Sequence, residues 1–178
     1  MEKENFLSKF TKLSKRQLVI ISVLIVVFTG VAFAVMEKIS DNPAFCASCH
    51  NMQSYYDSYH DSNLLAHKHA EAGVSCHDCH EPLVTQQVDE GIKYVTGNFE
   101  TPLEKRQFSN DNCLKCHNMK VVRTKTDFEE SNPHESHQGK QNCYECHSMH
   151  RQSSVMCTER CHSFNWAKNL PDNWKKSE

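Results

Sequence analysis

The apolar residues of this 178-residue chain gather near its start. Leu18 to Met36 reads LVIISVLIVVFTGVAFAVM, without a single charge. A helix rises ~1.5 Å per residue, so this segment can roughly span a ~30 Å hydrocarbon layer. Lys3, Lys9, Lys12, Lys15 and Arg16 lie upstream. Basic flanks stay cytoplasmic, which sends residues from about Glu37 onward to the outer face. The competing reading is a cleaved secretory signal, because Ala32-Phe33-Ala34 resembles a cleavage site. The apolar stretch exceeds the roughly 7–15 residues of a signal core, which favours an uncleaved anchor. Both readings export the rest of the chain.

Beyond the anchor the pattern is sparse. Val88, Ile92, Val95 and Phe99 recur at helical spacing and predict an amphipathic helix, with Gly97-Asn98 as a possible stop. Lys120 to Glu130 is charged and reads as a solvated connector. The remainder predicts short helices and loops. With its apolar residues concentrated in the anchor, the exported part has little from which to build a core. A net charge of −2 provides no basic field for nucleic acid. There is no dinucleotide fingerprint, P-loop or nucleophile elbow.

Cysteine changes the picture. All 10 Cys fall in pairs, each followed at once by histidine. Four pairs are regular: Cys46-Ala-Ser-Cys49-His50, Cys76-His-Asp-Cys79-His80, Cys113-Leu-Lys-Cys116-His117 and Cys143-Tyr-Glu-Cys146-His147. The fifth, Cys157-Thr-Glu-Arg-Cys161-His162, carries one extra residue. Two thiols one turn apart suit the two vinyl groups of haem, and the adjacent imidazole suits its iron. Zinc ribbons need paired cysteines but no histidine after each, and disulfides explain an even count but not the histidines. The expected cofactors are five haems c. The stretched fifth site has a Cys157–Cys161 disulfide as its bland alternative.

His50, His80, His117, His147 and His162 are proximal ligands by position. Seven histidines remain, too many for a structural surplus, and they predict bis-histidine ligation, which suits electron transfer rather than substrate chemistry. His69, His137 and His150 are the favoured distal ligands, followed by His60, His67 and His134. His77 sits inside the second motif. Met52, two residues past the first motif, is an alternative axial ligand there. Met119 and Met149 repeat a similar spacing and read as packing.

The anchor, CASCHNM and the following CHDCH make residues 1–105 resemble the NapC/NirT/NrfH family of membrane-anchored multihaem quinol dehydrogenases. In NrfH-like members the methionine, not the motif histidine, holds the first haem. The resemblance therefore implies Met52 as ligand and leaves the role of His50 open. Those members also carry a lysine and an acid seven apart after the second motif. Lys93 and Glu100 match that spacing, displaced by one residue, and form the implied quinol site, with Asp89 as the alternative acid. The second half, from Asn132-Pro133-His134 through Cys143-x-x-Cys146-His147-x-x-His150, is similar to haem domains of flavocytochrome fumarate reductases and small tetrahaem cytochromes. Simple NrfH-like proteins have four haems, so a fifth is a departure.

The expected fold is mainly α with much irregular loop, one N-terminal transmembrane helix, and a core of stacked haems. The expected organisation is a cytoplasmic basic segment (1–17), an anchor (18–36), a NapC/NrfH-like region with two haems (37–105) and a C-terminal region with three (106–178). The resemblance implies electron transfer from menaquinol to an extracytoplasmic terminal reductase in anaerobic respiration. That partner is flavin-containing or a nitrite reductase, and the expectation extends to an oligomer with it. The alternative is a tethered shuttle between cytochromes or flavoproteins with no quinol site.

Overall fold

A computed structural model describes residues 14–81 and 83–176. Lys3, Lys9 and Lys12 lie outside the described residues, as does the side chain of His50. The chain forms two compact units, one ending at Phe45 and the other beginning at Cys46.

The first unit is dominated by α1, Lys15–Ser40. Ser14 starts it with a capping box: its hydroxyl accepts from Gln17 N at 3.3 Å, and Gln17 Oε1 accepts from Ser14 N at 3.0 Å. The helix extends past both ends of the predicted 18–36 segment because Lys15-Arg16-Gln17 and Glu37-Lys38 are good helix formers. None of its residues is buried, and Phe28 is 76% exposed. A helix apolar on every side with no protein around it is suited to lipid. Among the described residues it is the one helix long and apolar enough to cross a membrane.

The second unit contains short helices and no extended sheet among the described residues. In order they are α2 (Pro43–Cys46, at the boundary), α3 (Gln53–His60), α4 (Leu65–Glu71), α5 (Cys76–Cys79), α6 (Val84–Thr96), α7 (Asn110–Leu114), α8 (Met119–Lys125), α9 (Cys143–Cys146), α10 (Met156–Arg160) and α11 (Asn165–Lys168). Helix α8 replaces part of the expected solvated connector. Beyond it Glu130 binds the start of α11, its carboxylate accepting from Asn165 N and Nδ2 at 2.6 and 2.7 Å.

Polar bonds across long stretches of sequence hold this unit together. Ala66 N donates to Met149 O at 3.0 Å, and Arg151 donates to Leu103 O at 2.9 Å. Asn110 accepts from Cys143 N at 2.8 Å and donates to Gln141 O at 3.1 Å. The tail returns as a single parallel bridge, with Ser153 N donating to Asn173 O and Lys175 N to Ser153 O. By contrast, Ala66, Val155 and Ala167 are the only buried hydrophobic side chains among the described residues. A soluble unit of this length ordinarily buries a contiguous apolar core. Here small side chains and polar bonds surround rings of histidine, and that arrangement fits an interior completed by a cofactor.

Candidate multihaem site

The second and fourth motifs each fold as one tight helical turn, while Cys46 ends α2 and Cys113 lies near the end of α7. Ser75 caps α5 by accepting from Asp78 N, while Asp78 accepts from Ser75 N at 2.7 Å. Asn142 N and Glu145 repeat that contact at α9, at 2.6 Å. The turn brings the histidine N–H back to the first cysteine carbonyl: His80 to Cys76 at 2.8 Å, His117 to Cys113 at 3.0 Å, His147 to Cys143 at 2.9 Å. The stretched motif closes the same bond, His162 N to Cys157 O at 2.9 Å. Its extra residue is taken up inside α10, so the final Cys-His pair keeps its relation to the first cysteine.

Consecutive motifs are neighbours. Burial pushes the Cys76 thiol up, and nearby Cys46 adds to this. Burial pushes Cys113 up to about 11, with Cys143 and then Cys79 contributing. Burial raises Cys79, assisted by Asp78 and Cys116. Burial also raises Cys146, which lies near Cys157. All ten cysteines are free of disulfides, the Cys157–Cys161 pair included.

Four motif histidines each face a second histidine brought from elsewhere in the chain. His80 faces His150 with ring centroids 6.3 Å apart, and His117 faces His69 at 5.9 Å. His147 faces His134 at 6.1 Å, and His162 faces His137 at 5.9 Å. Two metal–imidazole bonds of about 2.0 Å, each extended by a ring radius of about 1.1 Å, place centroids roughly 6 Å apart. The residues therefore fit an iron between each pair. Ligating imidazoles must be neutral, and for four of the eight burial favours the neutral form. His147 and His150 are each held down to about 4, chiefly by burial, and His80 and His134 are lowered for the same first reason. Arg106 approaches His80 Nδ1 at 3.4 Å and is itself tied to Glu90 at 3.1 Å.

The remaining candidates stand apart from these pairs. His60 stacks on Tyr56 at 5.4 Å. His67 Nδ1 donates to Tyr59 O at 2.9 Å, and its Nε2 lies 3.8 Å from Glu71. Met52 begins just before α3, its N–H donating to Cys49 O at 2.9 Å. Beside it the buried Asn51 Oδ1 has no hydrogen-bond partner among the described residues. Trp166 stacks between Phe128 (4.9 Å) and Phe164 (5.4 Å), and Phe164 stacks on His162 at 5.2 Å. Trp174 meets His147 edge-on at 5.1 Å.

Lys93 and Glu100 do not share a helix. Helix α6 ends at Thr96 because Gly97 takes φ +71°, with Gly97 N bonding to Tyr94 O and Asn98 N to Lys93 O. Glu100 lies beyond that stop. The partner of Lys93 is Asp89, at 2.6 Å on the same helix. The hydrogen bond and charge of Asp89 raise the Lys93 pKa. Beside this pair Val88, Gly91, Ile92, Val95 and Thr96 line a shallow apolar groove.

Comparison with known proteins accords with this geometry. The profile of the NapC/NirT cytochrome c family, N-terminal region, matches residues 8–97, and that of cytochrome c3 matches residues 96–163. The two matches meet at the stop of α6. The cytochrome c-type protein Cgr1 of Eggerthella lenta is 31% identical, across 85% of this chain and 82% of its own. The cytochrome c-type protein TorC of Escherichia coli K12, like that of strain O157:H7, is 26% identical across 75% of this chain. The match spans only 42% of TorC. No solved structure matches. With one apolar N-terminal helix, paired cysteines throughout the second unit and a family match across half its length, the chain belongs to the NapC/NirT family of membrane-associated multihaem c-type cytochromes, whose role is electron transfer.

Proposed function

We propose that this protein takes electrons from menaquinol at the membrane and delivers them to an extracytoplasmic reductase. The observation that carries the reading is the set of four facing imidazole pairs. Occupying both axial positions closes the metal to substrate and suits electron passage. When bound, haem c supplies a one-electron carrier at each site. The cysteine pairs fix five such carriers, the stretched motif included, because its pair His137–His162 has the same spacing as the others. The distal ligands in this reading are His150, His69, His134 and His137, for the second to fifth sites respectively. Met52 or His50 serves the first. His60 and His67 are not ligands to the other four.

Quinol oxidation also releases protons, which need a base beside an apolar surface. The exposed face of α6 offers Val88, Ile92 and Val95 for the ring, with Asp89 and Lys93 along its edge. In this reading Asp89 replaces Glu100 as the acid that works with Lys93. Electrons enter at the first motif, six residues past the end of α1, and leave at the C-terminal motifs. The second unit then lies on the outer side of the membrane. The reductase is flavin-containing or a nitrite reductase, with preference for the former from the flavocytochrome-like second half.

The test is reduction of the detergent-solubilised full chain by a menaquinol analogue, with haem counted by pyridine haemochrome on the same sample. Five haems are expected. Asp89→Asn or Lys93→Gln should slow quinol-driven reduction by about a hundredfold or more, the usual scale of an acid–base contribution, and leave dithionite reduction unchanged. An unaltered quinol rate in both variants points instead to a shuttle fed by another cytochrome.

A further inference from the structure

The distal histidines differ in what holds their second nitrogen. His69 Nδ1 donates to the backbone carbonyl of Leu65 at 2.8 Å, an acceptor that no side-chain substitution removes. His150 Nδ1 meets the Ser58 hydroxyl at 2.7 Å, and the Tyr55 carbonyl bonds the same ring. His134 Nδ1 meets a side chain, Thr126 Oγ1, at 2.8 Å.

The surroundings of Thr126 determine the direction of that bond. Its hydroxyl has one proton and two further neighbours, Val122 O at 2.9 Å and Asn132 Oδ1 at 3.3 Å. Both are acceptors. The Asn132 amide is oriented by its other contacts: Nδ2 donates to Arg123 O at 2.9 Å, and Oδ1 accepts from His134 N at 3.0 Å. The Thr126 proton is therefore committed to a carbonyl, and Oγ1 accepts from Nδ1–H of His134. That fixes the tautomer and leaves the Nε2 lone pair as the ligating position, with the His134 ring 12° from parallel to His147.

We infer that Thr126 is a positioning residue for electron transfer, setting the tautomer and electron donation of His134 and so lowering the potential of the haem at the fourth motif. An imidazole whose N–H is hydrogen-bonded is a stronger donor to the metal, which favours the oxidised state. The local sequence is built for this contact. Thr126 caps α8, where its bond to Val122 O is an ordinary back-bond, and the Asn132-Pro133 turn delivers His134 to it. The inference rests on His134 being a ligand, and its test separates the two claims.

The experiment uses the full chain with its haems attached. Thr126→Val keeps shape and removes the hydroxyl; Thr126→Ser restores the hydroxyl. Low-spin ferric signals are followed by electron paramagnetic resonance, and the potential of each haem by redox titration. Thr126→Val should retain every low-spin signal and raise the potential of one haem, and Thr126→Ser should return it toward the wild-type value. Wild-type potentials throughout Thr126→Val, or a shift that Thr126→Ser does not reverse, overturn the role of Thr126 while leaving the ligand set intact. His134→Ala should lose one low-spin signal; a full set in that variant overturns the ligand assignment itself.

Discussion

At the scale of single residues, a histidine's value here lies in where its Nε2 points and what occupies Nδ1. His60 and His134 are both histidines outside any motif, yet their settings differ. His134 is half-buried, bonded at Nδ1, and faces His147. His60 is exposed and stacks on Tyr56. Replacing His60 by alanine should leave the visible and paramagnetic spectra of the oxidised protein unchanged, whereas His137→Ala should convert the C-terminal haem from low to high spin. A high-spin signal from His60→Ala would place that residue on an iron. This is also where the sequence was least informative. Cys-x-x-Cys-His is a local pattern, so the motif histidines and thiols were readable by spacing alone. Pairing is not local: His150 follows the fourth motif by three residues but faces His80 of the second, and His69 precedes the second motif but faces His117 of the third. His134, placed behind His69, His137 and His150 as a candidate, faces its partner because Thr126 and Asn132 hold it there, a contact no periodicity encodes.

At the scale of elements, α6 shows a stop signal overriding a spacing argument. Val88, Ile92 and Val95 fall on one face as their spacing predicted, but the seven-residue interval from Lys93 to Glu100 crosses Gly97. Only a residue tolerant of φ +71° ends the helix in this way. The ion pair between Asp89 and Lys93 needed only the four-residue spacing within the helix, which was available in the sequence. The two glycines of this helix should consequently respond in opposite directions to the same change. Gly97→Ala forces an alanine into the left-handed region and should cost about 1 kcal/mol, accelerating amide exchange at Gly97 and Asn98, whose bonds close the helix. Gly91→Ala lies in the helical interior, meets nothing within 4 Å, and should stabilise α6 by about 0.5–1 kcal/mol, slowing exchange over Val84–Thr96. Hydrogen exchange on the full chain reads both, and a slowing in Gly97→Ala would show that the stop is not set by backbone conformation.

At the scale of the molecule, two kinds of apolar economy meet in one chain. Helix α1 leaves its apolar side chains exposed because lipid serves as their solvent, and the anchor was legible from an uninterrupted run of residues. The second unit has no comparable reserve, since the buried hydrophobic side chains among its described residues are Ala66, Val155 and Ala167. Bonds between distant segments hold it, and in the proposed reading the haems between the imidazoles complete its interior. The third motif is an inner one, because Cys113 neighbours both Cys79 and Cys143, while the fifth is terminal and adjoins the fourth through Cys157 and Cys146. Removing the thiols of the third motif, as Cys113→Ser with Cys116→Ser, should therefore lower the haem count by one and the unfolding temperature of the second unit by at least about 10 °C, the shift expected for a loss of several kcal/mol in a domain of this size. The matching change at the fifth motif, Cys157→Ser with Cys161→Ser, should also cost one haem but shift unfolding less. Circular dichroism melts beside haemochrome counts distinguish the outcomes. Equal melting temperatures for the third-motif variant and the parent, with one haem fewer, would mean that the polypeptide alone holds this unit together and that the cofactors do not form its interior.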